Sequence, residues 1–117
     1  MSWIVSRKIS FDAAHLLPNY PGKCANLHGH RWTVEVGVSG GVDPTTGFVV
    51  DFSELKTSMM RVLGNFDHSF LNEVLPNPTA ENLLKLILED FEPPEGTFLK
   101  FIRIWETPDS CAEWTRE

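Results

Sequence analysis

The sequence predicts an α+β fold in which one antiparallel sheet is covered on one face by two helices, in the order ββααββ. Alternation of apolar and polar residues, typical of half-buried strands, occurs toward both ends of the chain. Between these segments the apolar residues recur at helical spacing. Strands paired at the two ends, with helices inserted between them, are typical of an α+β sheet.

The first two strands are predicted from this alternation. In residues 3–15 the odd positions are mostly apolar, and the series ends in His15. In residues 31–39, Trp32 and a valine at every second position take one face, while polar residues take the other. The segment 16–27 between them contains two prolines and a glycine. It is therefore predicted to be a long loop rather than a tight hairpin.

The two helices are predicted from their end signals. Residues 51–54, with the sequence DFSE, are typical of a helix start in which side chains bond the free backbone N–H groups. This helix is predicted to end near Gly64. A second helix is predicted to begin at Thr79, and the proline pair at 93–94 cannot continue it.

The chain is predicted to finish with a strand at 98–106 and a short strand at 111–115. Its length of 117 residues, 42% of them hydrophobic, suffices for one compact core but not for two. The sequence therefore predicts a single domain over residues 1–117.

Charge and composition exclude several classes of protein. The formal net charge is −6, and no run of lysine or arginine is present to neutralise phosphates, so we expect no nucleic-acid partner. Residues 1–10 hold only a short apolar run, far from a signal peptide or a membrane span, and we expect no membrane association. The chain has only two cysteines, too few for a disulfide framework. A free thiol near histidines suits a reducing compartment, so the sequence predicts a cytoplasmic protein.

A metal site is predicted from three of the four histidines. If the alternation of the second strand continues back through Gly29, then His28 and His30 lie on the apolar face, as His15 does on its own strand. Neutral imidazoles that converge in this way suit zinc. Three histidines leave one coordination position open, as in catalytic zinc sites, unless Cys24 closes the site as a structural one.

Cys24 has two interpretations. A free cysteine is usually a small buried hydrophobe. Here it follows Gly22 and Lys23 in a polar loop, and a neighbouring lysine, zinc and histidine would favour the thiolate form. The sequence therefore favours Cys24 as a base or nucleophile, whereas Cys111 lacks such neighbours and is interpreted as structural.

Two further groups are candidates for chemistry. Asp67 and His68 follow the first predicted helix, where they form either a simple turn or a carboxylate and imidazole that move protons. Glu106 ends an apolar strand. It is either a solvated strand end or a carboxylate that accepts two N–H bonds from a guanidine-like edge of a heterocycle.

Six segments spread over nearly the whole chain match the pattern of one known family. They are residues 11–15 (FDAAH), 24–30 (CANLHGH), 51–56 (DFSELK), 63–72 (LGNFDHSFLN), 78–82 (PTAEN) and 105–107 (WET). With these segments the chain resembles the 6-pyruvoyltetrahydropterin synthase superfamily. Within it, the spacing Cys-x3-His-Gly-His resembles the bacterial branch of 6-carboxy-5,6,7,8-tetrahydropterin synthases, which act in queuosine and 7-deazaguanine biosynthesis.

The resemblance implies a fold, an assembly and a reaction. The fold would be the tunnelling fold (T-fold), and the assembly a homo-hexamer made of two trimers with active sites at subunit interfaces. The substrate would be 7,8-dihydroneopterin triphosphate. The products would be 6-carboxy-5,6,7,8-tetrahydropterin, acetaldehyde and triphosphate.

The resemblance also implies roles for individual residues. Zn²⁺ would be bound by His15, His28 and His30. Cys24 would be the base that abstracts a proton, with a relay from a neighbouring subunit, and Glu106 would anchor the pterin. The residues of that relay would be Asp67 and His68.

Three points stay open at this stage. Beyond the cysteine spacing, the sequence does not decide the product, because the pyruvoyl-forming reaction uses the same substrate. A non-enzymatic domain with a zinc held by one cysteine and three histidines is a second alternative. The residues that bind the triphosphate are also unassigned, with Arg7, Lys23 and Arg31 as candidates by proximity alone.

Overall fold

The computed structural model describes residues 3–117, and Met1 and Ser2 lie outside the described residues. It has the predicted α+β architecture. The elements are β1 (Trp3–His15), β2 (His28–Gly40), α1 (Phe52–Leu63), β3 (Ser69–Phe70), α2 (Ala80–Asp90), β4 (Phe98–Thr107) and β5 (Ser110–Thr115). They form one five-stranded sheet in the order β3-β1-β2-β4-β5.

The predicted order ββααββ is confirmed, with one addition. β3 was not expected, and it pairs parallel to β1 over two residues, so the sheet is not antiparallel throughout. A two-residue strand is too short to carry any alternation that a sequence pattern can detect. The other three pairings, β1 with β2, β2 with β4 and β4 with β5, are antiparallel as expected.

Both helices begin at the predicted caps. The side chain of Asp51 accepts a hydrogen bond from the backbone N–H of Ser53, and Thr79 accepts one from Asn82. These bonds satisfy N–H groups that have no partner within the helix. In the described part of the chain, neither helix combines the length and the apolar character needed to cross a membrane.

The core lies between the helices and one face of the sheet. On β2 the residues of this face run from Val38 through Val34 to Trp32, and each is at most 1% exposed. They pack against inward residues of both helices, such as Leu55 and Leu83. The opposite face carries polar side chains that pair across the strands. The apolar ladder of β2 ends at Trp32, and the two histidines preceding it continue on the same face.

We expect Gly37→Ala to destabilise the protein by about 1–3 kcal/mol, as is typical of overpacking. A methyl group at Gly37 would overlap the ring of Phe101, which covers this glycine from the neighbouring strand. Urea denaturation of both proteins measures the effect. Gly41→Ala is the matched control, because a methyl group there meets no atom of residues 3–117 within 4 Å and should leave the stability nearly unchanged. Equal stability of the two variants would contradict the close contact between Gly37 and the ring of Phe101.

Candidate metal centre and active site

The three histidines of the predicted metal site come together where β1 ends and β2 begins. In the antiparallel register His15 lies opposite His28, and Ala13 lies opposite His30. One nitrogen from each ring belongs to a group in which all ligand atoms lie within 4.8 Å of one another. The ring centroids are 4.5 to 5.2 Å apart. Strand alternation therefore places all three imidazoles on the core face of the sheet.

Backbone carbonyls orient two of these rings. Nδ1 of His15 is 2.8 Å from the carbonyl oxygen of Pro78, and Nδ1 of His28 is 2.7 Å from that of Asn26. Because a carbonyl oxygen only accepts, each Nδ1 carries the proton and each Nε2 presents a lone pair. This is the tautomer in which Nε2 binds a metal ion.

Within the described part of the chain, the buried Nε2 atoms of His15 and His30 have no hydrogen-bond partner. A buried polar atom without a partner is costly, and such atoms usually mark an absent ion or water. Burial lowers the pKa of His15 and of His30, against the opposing effect of Glu106, and so favours the neutral form that a metal requires. The donor set therefore fits a divalent ion that prefers nitrogen ligands, such as zinc.

Trp32 forms the floor of this group, a role that the sequence analysis did not assign. Its side chain is 0% exposed, and its Nε1–H donates to the carbonyl oxygen of Ala13 at 3.3 Å. Its ring stands edge-on to His15 at 5.0 Å and to His30 at 5.6 Å. The signal was present in the sequence, because Trp32 is the next residue after His30 on the same face of β2.

Glu106 faces the histidines rather than open solvent. It follows Ile104 on the core face of β4, and the pairing with β5 is irregular between Trp105 and Thr107, so Glu106 lies at a bulge. One carboxylate oxygen is 3.3 Å from Nε2 of His15 and 3.7 Å from Nε2 of His30. The side chain is 29% exposed.

An open cavity of about 560 Å³ begins at Glu106 and His30. Trp105 lines it, as do Lys8 and Arg31. The cavity gives a small molecule access to the edge of the histidine group. It is also large enough for a heterocycle of moderate size, since ligand pockets commonly measure roughly 300–1,000 Å³.

Of the predicted basic residues, only Arg31 lines this cavity, and its guanidinium is 3.2 Å from the Asp12 carboxylate. Arg7 instead donates to the carbonyl oxygen of Phe52 at 3.1 Å. Lys8, which the sequence analysis did not consider, lies over the ring of Trp105 at 5.0 Å.

Cys24 lies in a short 3-10 turn, Lys23–Ala25, and is partly buried. Its carbonyl oxygen accepts the N–H of Leu17 at 2.8 Å, which holds the loop between β1 and β2 together. The group of converging ligand atoms contains the three histidines and not the Cys24 thiol. This arrangement favours three protein ligands over four. Cys111 is exposed on β5.

Asp67 and His68 lie in the turn between α1 and β3, against the outer edge of β1. Oδ1 of Asp67 accepts the N–H of Asp12 at 3.0 Å, a bond that lowers the pKa of Asp67. Oδ2 lies 3.1 Å from Nδ1 of His68, whose φ of 58° is in the left-handed region. Both side chains are exposed, His68 to 80%. The segment is thus a turn, and it also holds a carboxylate against an imidazole.

The fold and this site define a class of protein: a small α+β domain with a cluster of three histidines that could hold a metal ion, beside an open cavity. The family described as 6-pyruvoyl tetrahydropterin synthase matches residues 4–117. The solved structure of 6-pyruvoyl tetrahydropterin synthase from Caenorhabditis elegans is 29% identical, with a TM-score of 0.82 over 100% of this chain and 97% of that one.

Two curated relatives are similar over most of their length. A 6-carboxy-5,6,7,8-tetrahydropterin synthase from Synechocystis is 36% identical over 96% of this chain and 92% of its own. A dihydroneopterin monophosphate aldolase from Pyrococcus furiosus is 37% identical over 85% of each chain. The chain belongs to the 6-pyruvoyl tetrahydropterin synthase family and is a lyase of that family.

Proposed function

We propose that this chain is a zinc-dependent 6-carboxy-5,6,7,8-tetrahydropterin synthase. It converts 7,8-dihydroneopterin triphosphate to 6-carboxy-5,6,7,8-tetrahydropterin, with release of acetaldehyde and triphosphate, in queuosine biosynthesis. The observation that carries this proposal is the pair of buried, unpartnered Nε2 atoms of His15 and His30, with Glu106 beside them at the mouth of a cavity. In this proposal residues 1–117 act as one cytoplasmic domain.

The metal ligands are His15, His28 and His30, each neutral. Zinc bound there supplies Lewis acidity, which makes the hydroxyl and neighbouring C–H protons of the substrate side chain easier to remove. The carbonyls of Pro78 and Asn26 keep two of the rings in the tautomer that leaves Nε2 free. These three protein ligands would leave a coordination position for the substrate.

Glu106 orients the pterin. A carboxylate presents two acceptor oxygens, which match the 2-amino and N3–H groups of a pterin ring, and such a fork fixes the ring in one orientation. Its place at the border between the histidines and the cavity supports this role, because a partly exposed carboxylate there can reach a ring that binds in the cavity.

Cys24 abstracts a proton in this proposal, and Asp67 with His68 relays it. Asp67 accepts from the Asp12 backbone, so its carboxylate is held in place to orient the His68 imidazole. Cys24 lies in the loop between β1 and β2, whereas the Asp67 and His68 pair lies on the outer edge of β1. We therefore propose that the two groups meet between subunits, in the hexamer that the resemblance implies.

The test is to incubate the purified protein with dihydroneopterin triphosphate and identify the pterin product by mass. A carboxylated tetrahydropterin, with acetaldehyde released, is the expected result. A pyruvoyl product would instead assign the related synthase reaction. Because an aldolase is among the relatives, dihydroneopterin monophosphate is the second substrate to assay, and turnover of it alone would contradict the proposal. No turnover would favour a non-enzymatic zinc domain.

We expect Cys24→Ala to keep the fold and about one zinc per chain but to lose at least roughly 100-fold in kcat, as is typical for removal of a general base. The reason is that the thiol lies outside the converging ligand atoms. Zinc content by atomic absorption and turnover check the two parts separately. Cys111→Ala, an exposed cysteine on β5, is the matched control. Loss of zinc in Cys24→Ala would support the structural zinc site instead.

A further inference from the structure

The side chain of Asn72 continues the edge of the sheet beyond the end of β3. The two residues of β3, Ser69–Phe70, pair with Ala13 and Ala14. Asn72 follows in a 3-10 turn, and its amide meets the backbone of Leu16. Its Oδ1 accepts the Leu16 N–H at 3.0 Å, and its Nδ2 donates to the Leu16 carbonyl oxygen at 2.9 Å.

These two bonds fix the backbone at the residue that directly follows the metal ligand His15. Leu16 lies at the start of the long loop between β1 and β2, beyond the last residue of the β1 and β2 ladder. A strand end without further partners frays, and the direction of its last side chain then varies. The amide of Asn72 supplies the missing donor and acceptor together.

The same asparagine is connected to the segment that orients the ring of His15. The carbonyl of Pro78 accepts from this ring, and Asn72 Nδ2 also approaches the carbonyl oxygen of Pro76 at 3.4 Å. From the other side, the side chain of Asn82 donates to the carbonyl oxygen of Asn77 at 2.9 Å. Asn72 thus contacts the backbone after His15. It also contacts the segment 76–78, whose Pro78 carbonyl accepts the hydrogen bond of the His15 ring.

The segment from Asp67 to Asn72 also ties the proposed proton relay to β1. The N–H of His68 donates to the carbonyl oxygen of Asp12 at 2.6 Å, and Asp67 accepts from the Asp12 N–H. The segment is therefore attached to β1 at Asp12 at one end and at Leu16 at the other. Asn72 forms the attachment nearer to the metal ligand.

We propose that Asn72 is a positioning residue of the metal centre, which holds His15 in the orientation that binds the ion. This inference rests on the proposed zinc function of the site. Asn72 acts through the backbone of Leu16 and does not contact the metal. Aspartate keeps the acceptor for the Leu16 N–H but places a second acceptor oxygen against the Leu16 carbonyl, and alanine removes both bonds, so both variants should release the backbone at Leu16.

The experiment measures zinc affinity by chelator competition for the wild-type protein, Asn72→Ala and Asn72→Asp. Removing groups that orient a metal ligand typically weakens metal binding by roughly 10–100-fold, so we expect a loss of this size for both Asn72→Ala and Asn72→Asp. In the metal-free proteins, the Leu16 amide should exchange with deuterium at least about tenfold faster in Asn72→Ala, since its acceptor is gone.

Two controls separate positioning from a general loss of stability. Ile102→Val removes a methyl group from the core of β4, away from the histidines, and should lower the stability while leaving the zinc affinity within about twofold. Asn65→Ala removes an exposed asparagine and should change neither. If Asn72→Ala does not fold, Asn72→Asp is judged by the same criteria.

The outcomes distinguish this inference from the proposed function. Zinc affinity in Asn72→Ala equal to that of Ile102→Val, in a wild-type background that binds zinc, would overturn the positioning role alone. A wild-type protein without affinity for zinc would overturn both the proposed function and this role. Weaker zinc binding with faster exchange at Leu16 would support both.

Discussion

Replacement of His28 or His30 by alanine is expected to remove the metal and the activity together. Each ring contributes one of three converging nitrogen atoms, and two neutral imidazoles bind zinc far more weakly than three. We expect zinc content to fall from about one per chain to below roughly a tenth, with turnover reduced at least about 1,000-fold, since the Lewis acid is lost. Atomic absorption after dialysis measures the first, and the product assay measures the second.

His68→Ala is the matched control for this experiment. His68 is the fourth histidine of the chain, is 80% exposed and belongs to a separate group with Asp12 and Asp67. Its removal should slow turnover while zinc content stays at the wild-type value. Full zinc retention in both His28→Ala and His30→Ala would refute the metal assignment.

The metal loss should also appear in the stability of the folded protein. A ligand that binds only the native state stabilises it by about 2.7 kcal/mol at a concentration 100 times its Kd. Added zinc should therefore raise the melting temperature of the wild-type protein, and this rise should be lost in His30→Ala.

Much of the site could be predicted because strand alternation is a local rule. The alternation in β2 directs His28 and His30 to the same face as Trp32, and the structure places them there. The same rule applies to Glu106, which follows the buried Ile104 on the core face of β4. The parity of its strand therefore indicates an inward direction, which the sequence analysis weighed against a solvated strand end.

The parts that could not be predicted depend on contacts between distant segments. The carbonyl of Pro78 bonds to His15 across 63 positions, and the amide of Asn72 bonds to Leu16 across 56. Neither residue type marks such a role, because every residue has a carbonyl and asparagine is common in turns. β3 escaped prediction for a related reason, since two residues cannot display a period.

The basic residues are a different case, because the local alternation of the strand could have guided their assignment. Arg7 precedes Lys8 by one position, and on a strand adjacent side chains point to opposite faces. The guanidinium of Arg7 therefore meets the backbone of α1 at Phe52, while Lys8 reaches the cavity. Proximity to the site, the criterion that selected Arg7, did not take this alternation into account.

Replacement of Glu106 is expected to impair substrate binding while leaving the metal in place. If the carboxylate forks onto the pterin, its removal leaves two ligand donors unpaired, which typically costs about 2–5 kcal/mol of binding or transition-state energy. Glu106→Gln keeps the shape and one acceptor but loses the charge and the symmetric fork. For both variants we expect at least a tenfold fall in kcat/KM, equivalent to about 1.4 kcal/mol.

Zinc content decides between this role and a direct bond to the metal. The carboxylate oxygen lies 3.3 Å from Nε2 of His15, close enough that a fourth protein ligand is the main competing explanation. A fourth ligand would make Glu106→Ala lose zinc affinity along with activity, whereas a pterin anchor predicts full zinc content with lost efficiency. Glu92→Ala, an exposed carboxylate between α2 and β4, controls for the change in net charge. Wild-type kinetics in Glu106→Ala would remove this residue from the site, because a solvated strand end contributes at most about 0.5 kcal/mol.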